Sequence, residues 1–218
     1  MIGRAPFVIL LGGDLTPTQR LLRQIAGARA IAADGGIRHA TPLGLRPELW
    51  VGDFDSSGGD LTAAWREVPR QRHPEAKDMT DGELAAAEAI ARGASGLVIA
   101  GAFGGERSDH AMGNLLQGAA LRARGLPVLM TSGHEEGWPL LPGEQEIDLP
   151  AGSLFSVLAL SDLAGLTLRG VEWPLTNRDV PMGSSLTLSN RVAGGEGLRI
   201  GLGRGNAVLL ARPHLGAL

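Results

Sequence analysis

Along the first 131 residues the apolar positions fall into short unbroken runs, each closed by glycine or aspartate. Pro6–Leu11 ends in Gly12-Gly13-Asp14, Arg29–Ala33 in Asp34-Gly35-Gly36, and Leu49–Val51 in Gly52-Asp53-Phe54-Asp55-Ser56. Leu97–Ala100 runs into the loop Gly101–His110, and Leu126–Thr131 precedes Ser132-Gly133-His134. Continuous apolar runs of this length predict parallel strands covered on both faces. Between them lie stretches with helical period: Gln19–Ile25 behind Thr16, Pro17 and Thr18, then Ile37–Leu43, Leu61–Glu67, Gly82–Arg92 and Ala111–Arg124. Val68–Gln71 is a weaker strand candidate. Strands alternating with helices predict right-handed crossovers and an open, mostly parallel α/β sheet.

The pattern changes near residues 131–134. From there no helical period appears. Short apolar runs recur instead at Glu144–Leu149, Ser153–Leu160, Leu166–Leu168, Ser185–Leu188, Leu198–Ile200 and Ala207–Ala211, separated by Gly, Pro and Asp. This spacing predicts an antiparallel β-sandwich. The expected division is an α/β domain over 1–132 and a β-sandwich domain over 133–218.

Composition narrows the classes. With 218 residues, 44% of them hydrophobic, the chain has material for a sizeable core. A net charge of −3 gives no electrostatic footprint for nucleic acid or an anionic membrane. Cysteine is absent, which excludes disulfides and thiolate metal sites. The N-terminal apolar run is short and leads directly into Gly12, so it reads as a first strand and not as a signal peptide. No run approaches a membrane span, and a cytoplasmic location is expected.

The chemistry-bearing segments all follow predicted strands or open predicted helices. They are Gly12-Gly13-Asp14, Asp34-Gly35-Gly36, Gly52–Ser56, Lys77-Asp78-Met79-Thr80-Asp81 and Gly101–His110. Open α/β sheets bind ligands beyond the carboxyl ends of their strands, so all five can face one cleft. Asp53 and Asp55 lie two residues apart after a strand, where alternate side chains point the same way, with Phe54 turned toward the core. Converging carboxylates repel unless a cation lies between them. Asp53, Asp55, Asp78 and Asp81 supply hard oxygen ligands suited to Mg²⁺. Lys77 and Arg107 can pair with phosphate oxygens, and glycine N–H groups at helix starts receive anions. There is no Gly-x-x-x-x-Gly-Lys-Ser/Thr loop and no full Gly-x-Gly-x-x-Gly.

Each of these residues also has a plain structural reading. The Gly52–Ser56 segment fits an Asp/Ser/Gly turn. Thr80 or Asp81 fits a helix cap. Asp109 fits the first turn of its own helix, His110 an ordinary paired surface histidine and Asn114 a polar face residue.

In series and at this spacing, the motifs resemble those of the thiamine pyrophosphokinase family. The resemblance continues through Gly170-Val171-Glu172-Trp173-Pro174-Leu175-Thr176-Asn177 and Leu188-Ser189-Asn190. It implies an ATP-binding α/β domain, a thiamine-binding β-sandwich and a homodimer with active sites at the subunit interface. The implied reaction converts thiamine and ATP to thiamine diphosphate and AMP with Mg²⁺. By resemblance, Asp53, Asp55, Asp78 and Asp81 hold metal and polyphosphate, with Arg107 and Lys77 on phosphate oxygens. Gly12, Gly13, Asp34, Gly35, Gly36, Ser56, Thr80, Gly104, Gly105, Asp109, His110 and Asn114 line the ATP site. Trp173 stacks on thiamine, with Thr176, Asn177, Ser189 and Asn190 nearby. A Trp face suits a cationic thiazolium or a flat pyrimidine, and a Trp buried in a sandwich core is the plain alternative. Two rival readings remain: a metal-dependent nucleotidyl- or glycosyltransferase using Asp53 and Asp55, and a non-catalytic nucleotide sensor.

Overall fold

The computed structural model describes residues 6–54, 59–72, 78–105, 107–195 and 197–214. The chain divides into two compact units, Met1–Gln117 with Gly125–Gly133, and Gly118–Arg124 with His134–Leu218.

The first unit is built on six parallel strands: β1 (Pro6–Leu10), β2 (Arg29–Ala33), β3 (Leu49–Gly52), β4 (Arg70–Arg72), β5 (Gly96–Ala100) and β6 (Val128–Thr131). Their order is β6-β5-β1-β2-β3-β4, so the chain winds one way from β1 to β4 and the other way from β5 to β6. Loops diverge between β1 and β5, which makes that the switch point of the sheet. β5 is buried along its whole length, as are β1 from Phe7 on and β2 from Ala30 on, as unbroken apolar runs demand.

Helices α1 (Gln19–Gln24), α2 (Gly59–Ala64), α3 (Asp81–Ala91) and α4 (Ser108–Ala123) follow the predicted segments. Thr18 caps α1, its side chain accepting from Leu21 N. The predicted helix over Ile37–Leu43 is instead a 3-10 helix at Asp34–His39 followed by turns. It starts earlier because Asp34 already turns, at φ 43°, a conformation that Asp tolerates better than most residues. Among the described residues no helix is long and apolar enough to cross a membrane.

The second unit is all antiparallel. Its strands are β7 (Glu136–Leu140), β8 (Gly143–Ile147), β9 (Leu154–Ala159), β10 (Leu163–Arg169), β11 (Leu175–Val180), β12 (Asn190–Arg191), β13 (Leu198–Leu202) and β14 (Ala207–Arg212). They form two layers, β12-β9-β14-β7 and β11-β10-β13-β8. Phe155, Val157 and Leu209 of one layer meet Leu166, Leu168, Ile200 and Leu202 of the other in a single apolar core. The predicted strand at Ser185–Leu188 is a correction: those residues are turns, and Thr187 is held by its hydroxyl donating to Val157 O at 2.6 Å. The short strand comes later, at Asn190.

Candidate active site

Three loops meet at the switch point of the first sheet, and main-chain bonds tie them together. Gly13 N donates to Gly101 O at 3.1 Å, and Asp14 N to Phe103 O at 3.0 Å. The Asp14 carboxylate accepts from Gly105 N at 3.0 Å. A Cβ on Gly13 would lie 2.4 Å from Gly101 O and 2.6 Å from Phe103 O, so only glycine admits this approach. From the third loop, the guanidinium of Arg38 donates to the carbonyls of Gly12, Gly13 and Gly35. His39 meets Gly13 O through Nε2 at 2.9 Å. The carbonyl only accepts, so this nitrogen carries the proton. Burial pushes the His39 pKa below its ordinary value, partly opposed by the bond to Gly13, so the ring is neutral at pH 7.

These loops wall a cavity of about 1040 Å³, the upper size range of small-molecule sites. It brings together most of the residues singled out from the sequence. Gly12, Gly13, Asp34, Gly35, Asp53, Asp78, Thr80 and Asp81 line it, as do Gly104, Gly105, Arg107, Asp109, His110 and Asn114. Gly36 does not. It is packed against β1, where a Cβ would come within 2.1 Å of Leu10 O. Asp55, Ser56 and Lys77 lie outside the described residues.

Asp34 holds its left-handed turn with help from Trp50, whose Nε1 donates to Asp34 O at 2.8 Å. The extended geometry expected around Asp53 is corrected by Phe54, which has φ 68°. Strand alternation therefore ends at Gly52, and Asp55, the other half of the expected pair, lies outside the described residues. Phe54 does not enter the core. It is half-buried, edge-on to Trp50 with ring centroids 4.9 Å apart, and Arg70 and Arg72 lie over its ring at 5.8 Å. A bulky residue in that conformation is strained, and these ring contacts hold it.

Asp78–Gly82 enters the cavity as the start of α3. Thr80 is the N-cap, in a complete capping box: its side chain accepts from Glu83 N at 3.2 Å, and Glu83 Oε2 accepts from Thr80 N at 2.8 Å. Its hydroxyl thus has a structural task worth about 1 kcal/mol. Asn114 is committed similarly, donating to Ala102 O at 2.9 Å and anchoring α4 to the loop after β5.

Arg107 and Asp109 form a two-point ion pair, Nε to Oδ1 at 2.9 Å and Nη2 to Oδ2 at 2.6 Å. Both side chains are more than 60% exposed, at 65% and 63%. The guanidinium beside it holds the Asp109 pKa at about 2, below the usual 3.8, and the carboxylate raises that of Arg107. The pair is therefore complete at pH values above the usual carboxylate range, and is lost as pH falls through about 2.

Among the described residues no three acidic or histidine side chains converge closely enough to cage a metal ion unaided. Asp53, Asp78 and Asp81 do line the same cavity. Glycine N–H groups, a helix start, a guanidinium and several carboxylates together can receive a polyanion accompanied by a cation. Arg38 and His39 had no place in the sequence reading. Their signal was a basic pair one residue beyond Asp34-Gly35-Gly36, which one turn of 3-10 helix carries back over the first loop.

In the second unit, Trp173 is 56% exposed, which excludes a place in the sandwich core. Thr176 and Asn177 are exposed on β11, with Asn177 at φ 46° and its N–H donating to Thr167 Oγ1 at 3.0 Å. Ser189 is exposed at φ 59°, whereas Asn190 is buried at 5% exposure.

Fold and cavity together define a class, the α/β proteins that receive a ligand at the switch point of a parallel sheet. Comparison with known proteins narrows it. Residues 24–130 match the family model "Thiamin pyrophosphokinase, catalytic domain", and residues 144–205 match "Thiamin pyrophosphokinase, vitamin B1 binding domain". The chain belongs to the thiamine pyrophosphokinase family. It is 30% identical over 169 residues to the thiamine pyrophosphokinase of Bacillus subtilis (strain 168), covering 74% of this chain and 77% of that one. Among solved structures, a thiamin pyrophosphokinase family protein from Enterococcus faecalis matches with a TM-score of 0.77 and 26% identity, covering 96% of this chain and 99% of that one. The Bacillus subtilis enzyme superposes with a TM-score of 0.82 at 23% identity, over 96% and 99% of the two chains.

Proposed function

We propose that the protein transfers the diphosphoryl group of ATP to the hydroxyl of thiamine, giving thiamine diphosphate and AMP. The observation that carries this reading is the match of both halves to the two family models, with the cavity falling in the half matched as catalytic. In the reaction the thiamine hydroxyl oxygen bonds to the β-phosphorus. The bond from that phosphorus to the bridging oxygen of the α-phosphate breaks, AMP leaves, and the hydroxyl proton is lost. No side chain is assigned as its acceptor.

The donor set fits Mg²⁺, which commonly takes one or two carboxylates and completes its shell with water and substrate phosphates. Asp53, Asp78 and Asp81, with Asp55, are its proposed ligands, and when bound it neutralises charge on the polyphosphate. The chain's own contributions are electrostatic and positional. The N–H groups of Gly13 and Gly105 are engaged within the 12–14 and 104–105 loops, so those of Gly12 and Gly104 are the ones we assign to the phosphates. Arg38 holds the first of these loops in place. Asp109 fixes the plane of Arg107 by its Nε and Nη2 edge, leaving the N–H groups at its far end for the moving group. Trp173 offers a stacking face to thiamine. By family resemblance we place the protein in the cytoplasm as a homodimer, with active sites at the subunit interface. A monomer in sedimentation equilibrium at assay concentrations would refute the dimer, and recovery in the membrane fraction the location.

The direct test mixes protein, Mg²⁺, ATP and thiamine and identifies the nucleotide product. AMP is expected. ADP would indicate single phosphoryl transfer, and no turnover would return the sensor reading. Nothing in the comparisons favours the nucleotidyl- or glycosyltransferase alternative.

Arg107 supports a second prediction. Arg107→Lys keeps the charge but loses the planar fork that Asp109 grips. Turnover is expected to fall roughly 10²-fold, with ATP affinity changed only a few-fold, because the contact tightens on the moving group. A loss confined to ATP affinity would make Arg107 a ground-state binder only. Since the Asp109 pKa lies at about 2, the wild-type pH–rate profile should show no acid limb from this pair above pH ~4.

A further inference from the structure

Trp173 presents a puzzle of position. Its indole is more than half exposed, so packing cannot fix it, yet a stacking face helps binding most when it is already in place. The main chain must therefore hold it. Gly170–Trp173 runs beside Asn190–Ala193. Val171 pairs with Val192 in an antiparallel bridge, Glu172 N donates to Arg191 O at 2.9 Å, and Ala193 N donates to Gly170 O at 2.9 Å. At Trp173 this ladder passes from main chain to side chain. The Asn190 amide takes the place of a peptide group: Nδ2 donates to Trp173 O at 2.8 Å, and Oδ1 accepts from Trp173 N at 3.2 Å. The same oxygen accepts from Arg191 N at 2.8 Å.

Two further restraints act on the same spot. Ser189, at φ 59°, turns the chain just before Asn190, and its N–H donates to Ser156 Oγ at 3.0 Å. Pro174 follows Trp173 and confines it to extended backbone. With three bonds made and 5% exposure, Asn190 has one N–H left and almost no surface to offer a ligand.

We propose that Asn190 is a positioning residue: it grips the main chain of Trp173 so that the indole stands ready as a stacking face, and it does not itself touch the substrate. This rests on the reading of Trp173 as a platform for a flat cationic ring. It replaces the direct thiamine contact that the sequence suggested for Asn190.

The test is a double-mutant cycle read as thiamine affinity, together with a measurement made without substrate. Trp173→Ala and Asn190→Ala are each expected to weaken thiamine binding roughly 10-fold, with ATP affinity unchanged. In the Trp173→Ala background, Asn190→Ala should add less than 2-fold. Losses that multiply, giving about 100-fold in the double variant, would mean that Asn190 meets the substrate itself and would overturn the proposal. So would a Trp173→Ala protein that binds thiamine as well as wild type.

Asn190→Asp guards against simple misfolding. It keeps the two acceptor bonds, loses the Nδ2 donation and sets a carboxylate against Trp173 O. In protein carrying 5-fluorotryptophan, the ¹⁹F line of Trp173, assigned through Trp173→Phe, should shift or broaden in this variant. The lines of Trp50, Trp65 and Trp138 should stay in place. An unchanged Trp173 line would overturn the proposal whatever the substrate is. Absence of thiamine binding by wild-type protein would instead sink the proposed function, while the ¹⁹F result would still decide whether Asn190 holds Trp173.

Discussion

Asp53→Asn is expected to lower AMP formation roughly 10³-fold while leaving the thermal melt of the protein close to wild type. The size is that of losing one fixed group from an electrostatically organised site. Asp53 is half-buried just beyond the end of β3 and lines the cavity with Asp78 and Asp81. The substitution keeps the shape and removes one negative charge, so the charge alone is tested. If that charge helps hold a cation beside the polyphosphate, the Mg²⁺ concentration needed for half-maximal ATP binding should rise as well. AMP release measured under single turnover across a Mg²⁺ titration checks both. Unchanged turnover at limiting Mg²⁺ would leave Asp53 as a residue of the turn.

Gly13→Ala should be among the most damaging single methyl groups in the first unit's binding site. The added carbon would meet two carbonyl oxygens, Gly101 O and Phe103 O, at distances no real contact shows. Both belong to main chain that is itself hydrogen-bonded to this loop, so neither can rotate aside. The loops must part, and the Asp14 grip on Gly105 N goes with them. A cost of about 3 kcal/mol is expected from overpacking of this kind, roughly 10 °C in melting temperature for a chain of this length. Nucleotide binding should fail even at temperatures where the variant is folded. A melt and a nucleotide titration at 10 °C separate the two effects. Full nucleotide affinity in a folded variant would show that the approach of these loops is not what builds the site.

The parallel half was legible because burial on both faces leaves an unmistakable trace. β1, β2, β3, β5 and β6 all appear as unbroken apolar runs, and the glycines and acids that close them mark the cleft. The second half was read less completely, for reasons that lie in its strands. β7 reads Glu-Gly-Trp-Pro-Leu, with a proline and an acid that argue against a strand, yet Pro139 pairs with Val208 and Glu136 is 1% exposed. β11 has four consecutive exposed polar residues, Thr176–Asp179, so it shows no alternation at all. Ser185–Leu188 has strand-like composition, but bonds made by the Thr187 hydroxyl and main chain to Val157 fold it into turns.

In the site, spacing gathered residues into one place but did not give the backbone turn on which Asp53 sits. The geometry of Asp53 depends on Phe54 adopting φ 68°, and that depends on Trp50 four residues earlier and on Arg70 and Arg72 from the neighbouring strand β4. Thr80 was read both as a ligand group and as a helix cap, and the cap is what the structure shows. Asn114 and Asn190 also have hydrogen-bonding capacity used on main chain far away in sequence, which the sequence does not display.

The order of strands in the first sheet also bears on how the chain reaches its native state. β1 meets β2 across a span of little more than twenty residues, but meets β5 across about ninety. The second closure carries the larger entropic cost, and nothing repays it until the strands are side by side. The β1–β4 half of the sheet can therefore assemble early, while the seam between β1 and β5 closes late. That seam is where Gly13 meets Gly101 and Asp14 meets Gly105. A partly folded chain thus lacks the cradle altogether, and a ligand that needs it binds only molecules that have completed their longest-range pairing. Such a ligand draws the population toward the finished fold by mass action, and it takes no part in the early steps of reaching it.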